Sequence, residues 1–375
     1  MNQQGRAIQK IIFGSPGIGK SYQIRSIATD YLGINFDLQS NTLENTIKTV
    51  FHPEYTYSDF VGKLLPHSQG NSVIYKFYPG HFTRALGLAY KDLIEGKGQN
   101  YLLVIDELNR GNAAAIFGSI FQLLDRDNDN WSTYEVDLSD LELIGLFNSM
   151  GYKAQVSTDN FIQIDGSNFD NFYAFTEDKL RQQANNNGLR ILKLLKNRKI
   201  NIPHNLSIIA TINTSDESIY YLDSAFKRRW DWEYLDAPAE KNIQADEVPE
   251  VVSSIILQLN ANKQLYWYKC VVGINEFIKS NHEIIRRIED KQIGWWFIKA
   301  ENNVITLQQV QDKLMFYLWD SVFARDKKPL IQFLSDKLGK DIKLITYADF
   351  VEHTEQFIQH IHDNVTSLLT KDQEF

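Results

Sequence analysis

Two apolar periods run along this chain. Ile8, Ile11, Ile12 and Phe13 form a short apolar run that stops at Gly14, and a helix-period segment begins near Gly19. Tyr101–Ile105 is a continuous apolar run, after which Ile116, Ile120, Leu123 and Leu124 recur at helical spacing. A third apolar run, Leu206–Ile212, ends in the polar residue Asn213. Unbroken apolar strands that alternate with helices predict an α/β fold with a parallel sheet covered on both faces.

The stretch from about 127 to 203 breaks this rhythm. Its pattern predicts an inserted unit, at about 139–199, with small secondary structure of its own between two core strands. "DESIYYLDSAF" reads as a helix capped by Ser215 or Asp216 and ending in Lys227-Arg228-Arg229. After Tyr234–Asn242 the strand signals fade and helical patterns take over. The expected domains are therefore an α/β core over 1–236 and a mostly helical domain over 237–375.

Composition narrows the setting. A chain of 375 residues with 43% hydrophobic and 23% charged residues fits two or three globular domains. No apolar run is long enough to span a membrane, and the polar amino terminus lacks a signal-peptide core. A single cysteine, Cys270, allows no internal disulfide, which favours a reducing, cytoplasmic location. The net charge of −8 argues against a chain that coats nucleic acid unaided, because such binding rests on many cationic contacts to phosphate. Aromatic groups at Tyr266–Lys269, Gly294–Phe297 and Phe316–Trp319 lie in helical patterns and read as core rather than as base-stacking platforms.

The chemistry begins at Gly14-Ser15-Pro16-Gly17-Ile18-Gly19-Lys20-Ser21, a complete G-x-x-x-x-G-K-[ST] loop between a strand and a helix. Its glycines let backbone N–H groups converge on phosphate, Lys20 can reach the β- and γ-phosphates, and the Ser21 hydroxyl can ligate Mg²⁺. Asp106 and Glu107 close the second apolar strand. An aspartate there can hold Mg²⁺, and the glutamate beside it can polarise an attacking water. The Asp-Glu order favours hydrolysis over transfer to a small acceptor. Asn213, at the end of the third strand, is placed to fix the nucleophilic water. Arg228 or Arg229, at the far end of the next helix, points to the γ-phosphate of a neighbouring subunit and so to a ring; Asp231 is a candidate anchor for Arg229.

Phosphate loop, acidic pair, polar third strand, arginine pair and helical lid together resemble an AAA+ P-loop NTPase. "FHPEYTYSDFVGKLLP", "VIDELNRGNAAAIFGSIFQLLD", "INTSDES" and "EDKQIGWWFI" narrow the resemblance to the McrB family of methyl-directed restriction enzymes. That resemblance implies a hexameric GTP-hydrolysing ring working with a separate nuclease of the McrC kind, and reaching DNA through the complex. It assigns Asn213 and Asp216 to hydrolysis and puts Asn109 and Arg110 in a partner-responsive region. Two positions depart from the pattern: Glu217 replaces an arginine, and Gln292 stands where a lid arginine is expected, with Lys291 adjacent. The phosphate loop begins at Gly14, so the family's amino-terminal DNA-recognition domain is not expected in this chain. No guanine-reading N-K-x-D motif occurs, so the residues alone leave ATP open and the resemblance points to GTP. The competing class is an AAA+ ATPase that remodels protein complexes without DNA.

Overall fold

The computed structural model describes residues 7–69, 72–157, 161–213 and 220–371. They fall into two compact units: residues 7–12, 21–212 and 220–233 in the first; Phe13–Lys20, Asn213 and the chain from Tyr234 onward in the second.

β1 (Gln9–Gly14), β2 (Thr46–Val50), β3 (Tyr101–Asp106), β4 (Leu206–Ile212) and β5 (Asp231–Leu235) form a five-stranded parallel sheet in the order β5-β1-β4-β3-β2, of which the first unit holds all but Phe13–Gly14 and Tyr234–Leu235. The registers Leu206↔Tyr101 and Thr46↔Leu102 align β4 and β2 in parallel on either side of β3. Every residue of β4 is buried, as are Tyr101–Ile105 of β3. That is why both read as unbroken apolar runs: a central parallel strand has no solvent face to mark with polar residues.

α1 (Lys20–Ser26) follows the phosphate loop, and α2 (His81–Glu95) ends on Gly96 in the left-handed conformation. A long antiparallel hairpin, Gly62–Gln69 with Ser72–Pro79, precedes α2. The inserted stretch folds as α3 (Asp140–Ser149), a three-stranded antiparallel sheet, a helix over Phe169–Gln182 and α4 (Asn186–Lys196). Ser139 and Glu142 start α3 with reciprocal backbone bonds, satisfying donors that the first helical turn leaves free.

Phenylalanines of the "FHPEYTYSDF" stretch organise the aromatic core of this unit. Phe60 packs on Phe51 and Phe117, and Phe117 in turn meets Phe226, which stacks on Trp230. The segment after the acidic strand and the segment carrying the arginine pair thus share one apolar cluster.

The second unit is built around α5 (Trp267–Ser280) and α6 (Thr354–Lys371), with Trp267, Cys270, Ile274, Phe357 and Ile361 buried between helices. It also holds strands, contrary to expectation. Ile256–Asn260 pairs antiparallel with Lys263–Tyr266 and parallel with Val304–Thr306. Leu257, Leu259 and Leu265 are buried there and alternate with Gln258, Asn260 and Gln264, but runs this short are swamped by the flanking helical pattern. Among the described residues no helix is long and apolar enough to cross a membrane.

Candidate functional site

The phosphate loop takes the conformation its glycines permit. Gly17 and Gly19 sit at φ 72° and 99°, where an L side chain is strained. Lys20 folds back over the loop: its Nζ donates to Gly14 O at 2.8 Å, Ser15 O at 3.4 Å and Asn213 Oδ1 at 2.8 Å. The structure thereby brings together two of the residues picked from sequence, the phosphate-reaching lysine and the third-strand amide. Ser15 is buried and its hydroxyl donates to Glu289 O at 2.8 Å, while Ser21 is exposed.

The acidic pair is held differently. Asp106 Oδ2 lies 2.8 Å from Lys48 Nζ on β2, and Asp106 Oδ1 accepts the Thr211 hydroxyl at 3.1 Å. The same hydroxyl accepts the Glu107 N–H at 3.2 Å. Glu107 adopts the left-handed conformation, φ 55° and ψ 44°, which costs a non-glycine residue roughly 1–2 kcal/mol. Arg110 Nε stands 3.3 Å from Glu107 Oε2. One buried threonine thus locks the turn in which the two carboxylates diverge, and each carboxylate has a cation beside it. Asn109 is buried and its carbonyl accepts Tyr220 N–H.

The arginines separate cleanly. Arg229 is nearly buried, with 9% of its side chain exposed. It donates to Asp125 through Nε at 3.0 Å and Nη2 at 2.6 Å, and to Ala225 O at 2.8 Å. Its guanidinium covers the Phe121 ring at 4.0 Å. Asp125, not Asp231, is therefore the anchor, because the residues after β3 run back beneath the arginine helix. Arg228 is exposed and, among the described residues, has no ion-pair partner. It lines a cleft of about 770 Å³ with Lys10 and Arg126. Burial pulls the Arg126 guanidinium down to about 10, still cationic at neutral pH, and carbonyls of Asn130, Pro203 and Leu206 accept its N–H groups.

The helix leading to this pair is shorter than the sequence suggests. It spans only Ser224–Lys227 and is capped by Asp223, whose carboxylate accepts Phe226 N–H. Tyr220–Asp223 are irregular, and Ser215, Asp216 and Glu217 lie outside the described residues.

Sequence reasoning missed Lys48, Thr211 and Asp125, since nothing local marks a strand lysine or threonine as the partner of a distant carboxylate. It also missed the part played by residues 289–297. Gly294 N donates to Pro16 O and Trp296 N to Gly17 O, each at 2.9 Å. Gln292 is buried, and its Nε2 has no hydrogen-bond partner among the described residues.

A five-stranded parallel sheet in this order, with a phosphate loop after β1 and an acidic pair after β3, defines an AAA+ P-loop nucleotide-binding protein. Over 351 residues the chain is 29% identical to the type II restriction enzyme BsuMI component YdiS of Bacillus subtilis (strain 168), covering 87% of this chain and 82% of that protein. It is 30% identical over 127 residues to the type IV methyl-directed restriction enzyme EcoKMcrB subunit of Escherichia coli (strain K12), spanning 32% of this chain and 24% of that subunit. The chain is thus similar over most of its length to a restriction-enzyme component, and over about a third of it to an McrB subunit. No protein-family model matches it. Among solved structures it is similar to C. elegans PCH-2, with 11% identity, TM-score 0.21, and coverage of 94% of this chain and 61% of that one. A protein from Cytophaga hutchinsonii gives 11% identity, TM-score 0.27, and coverage of 74% and 58%.

Proposed function

We propose that this chain is the nucleoside-triphosphate-hydrolysing motor subunit of a restriction complex that defends against foreign DNA, using GTP in preference to ATP. The observation that carries the reading is the Lys20–Asn213 bond, which ties the phosphate-loop lysine to the polar end of β4. In the bound state the triphosphate takes the lysine's charge, and Asn213 is released to hold the attacking water.

The residues suit Mg²⁺. Ser21 offers a hydroxyl and Asp106 a carboxylate already oriented toward a cation, Lys48. Magnesium keeps most of its waters and needs only one or two protein oxygens. Bound there, the ion would supply charge neutralisation at the β- and γ-phosphates. Glu107 acts as the base that orients water, and Thr211 keeps its backbone turned.

Arg228 is the finger supplied to a neighbouring subunit of a hexameric ring, and Arg229 is its anchor. The support is the difference in their surroundings: among the described residues one is exposed with no ion-pair partner, the other is neutralised by Asp125. Asp216 assists hydrolysis beside Asn213. DNA reaches the motor through the complex, whose nuclease is a separate subunit contacting the Asn109-Arg110 region, and the insert at about 139–199 adds partner surface. The test is hydrolysis of GTP and of ATP by the purified chain, with and without the nuclease subunit, alongside its elution on a sizing column. No turnover of either nucleotide in the presence of the partner would remove the motor reading. Turnover by a strict monomer would remove the ring.

A further inference from the structure

The phosphate loop is usually described as shaped by its own glycines, but here a second segment shapes it. Within the second unit, three contacts join the loop to residues 289–296. Ser15 Oγ donates to Glu289 O, Gly294 N donates to Pro16 O, and Trp296 N donates to Gly17 O. The last two run from donors two residues apart to adjacent carbonyls of the loop. They satisfy the carbonyls that the loop turns away from the phosphate side as its N–H groups converge.

The fit leaves no room for side chains. A Cβ on Gly294 would lie 2.2 Å from Gly17 O and 2.3 Å from Ile18 Cα, and one on Gly17 would lie 2.5 Å from Phe297 N. Two glycines from distant parts of the chain are therefore interlocked backbone to backbone. The Trp296 ring covers the next glycine, with its edge 2.8 Å from where a Gly19 Cβ would be. Asn275, fully buried, fixes the segment from behind: its Oδ1 accepts Ile293 N–H at 2.8 Å, and its Nδ2 donates to Ile293 O and Pro238 O at 2.9 Å.

We propose that Gly294 and Trp296 are positioning residues for phosphate binding: they hold Gly17 and Gly19 in the curve that aims the loop's N–H groups, without touching the ligand themselves. This rests on the phosphate-loop reading above. It goes beyond that reading by making the loop's binding shape a property of the carboxyl-terminal unit. Any event that pulls the segment at 289–297 off the loop releases the phosphates, so a partner acting on the carboxyl-terminal unit can gate nucleotide exchange.

The test measures binding of a non-hydrolysable nucleoside triphosphate and of inorganic tripolyphosphate, with Mg²⁺, by calorimetry. Gly294→Ala pushes a methyl into the loop backbone, and Trp296→Ala removes the ring from a site already 38% exposed, so the second variant has little folding to lose. Both should weaken both ligands by roughly ten- to a hundredfold, the range that overpacking or lost packing produces. Trp296→Phe should recover most of the affinity, and the unfolding midpoint of Trp296→Ala should stay near that of wild type.

Binding of tripolyphosphate at wild-type affinity by Trp296→Ala would overturn the proposal, even if the nucleotide itself bound less well, because the ring would then be contacting the nucleoside. Should Gly294→Ala fail to fold, the Trp296 pair decides alone. If wild-type protein binds neither ligand, the phosphate-loop reading falls. If wild type binds, Lys20→Ala does not, and Trp296→Ala binds normally, only the positioning role falls.

Discussion

The phosphate loop and the acidic strand end are made by opposite means. Around the loop almost every interaction is main chain: positive-φ glycines, carbonyls accepting Gly294 and Trp296 N–H, and one lysine folded over the top. At the end of β3 the fixing contacts are side chains, with Lys48 on Asp106, Arg110 near Glu107 and Thr211 bridging the two residues. A backbone cradle has one shape and one charged group to lose. A side-chain cluster has several charges whose balance can be reset. The first is suited to binding, the second to switching.

The contrast is sharpest at Lys20. In the backbone-built half it alone brings a side-chain charge, so Lys20→Ala should remove nucleotide binding altogether, read by calorimetry against a fold checked by circular dichroism. Binding within a few-fold of wild type would mean that the backbone suffices and that the half is simpler still.

The arginine pair tests the side-chain style. Arg228→Ala should bind nucleotide as wild type does yet lose roughly 10³–10⁵ in turnover, the usual worth of an arginine finger. Mixing it with Lys20→Ala should restore part of the activity, since each protein supplies what the other lacks. Arg229→Ala should instead lower stability, because it strands the Asp125 carboxylate, and no mixing should repair that. If Arg229→Ala is rescued in mixtures and Arg228→Ala is not, the two roles are reversed.

A smaller loss is expected at Glu107. Removing a general base costs roughly 10²–10⁴ in rate, so Glu107→Gln should keep nucleotide affinity and lose turnover to that degree in single-turnover assays. Turnover at the wild-type rate would show that another group orients the water.

How much of this was legible in the sequence follows the same division. The loop's conformation is readable because positive-φ positions such as Gly17 and Gly19 favour glycine, so local identity fixes local shape. The three core strands are readable because a buried parallel strand carries an unbroken apolar run. The β5-β1-β4-β3-β2 order agrees with the AAA+ class that the motif set resembles. Lys48, Thr211 and Asp125 were not readable, because their roles arise from strand neighbours and from a chain reversal. The small sheet of the carboxyl-terminal unit was missed for want of length. The Gly294–Gly17 interlock gave a faint signal only: a glycine set before two tryptophans, Gly294-Trp295-Trp296.

Gln292 gives the smallest effect and the most diagnostic sign. The McrB-like pattern leads one to expect an arginine there, yet the residue is a neutral amide, 5% exposed, with Nε2 unpartnered among the described residues. A buried donor left unmade costs roughly 1–3 kcal/mol. Its neighbours cannot move to relieve it: Ile293 is clamped by Asn275 and Gly294 is bonded to Pro16. Gln292→Leu keeps most of the volume and removes the donor, so it should raise unfolding stability by about 1 kcal/mol in urea denaturation. Gln292→Ala should lower it, because there the cavity outweighs the gain. The opposite signs separate polarity from packing. A fall in both variants would mean that the amide has an acceptor, and the buried lid position would then owe its glutamine to bonding rather than to the space an arginine left.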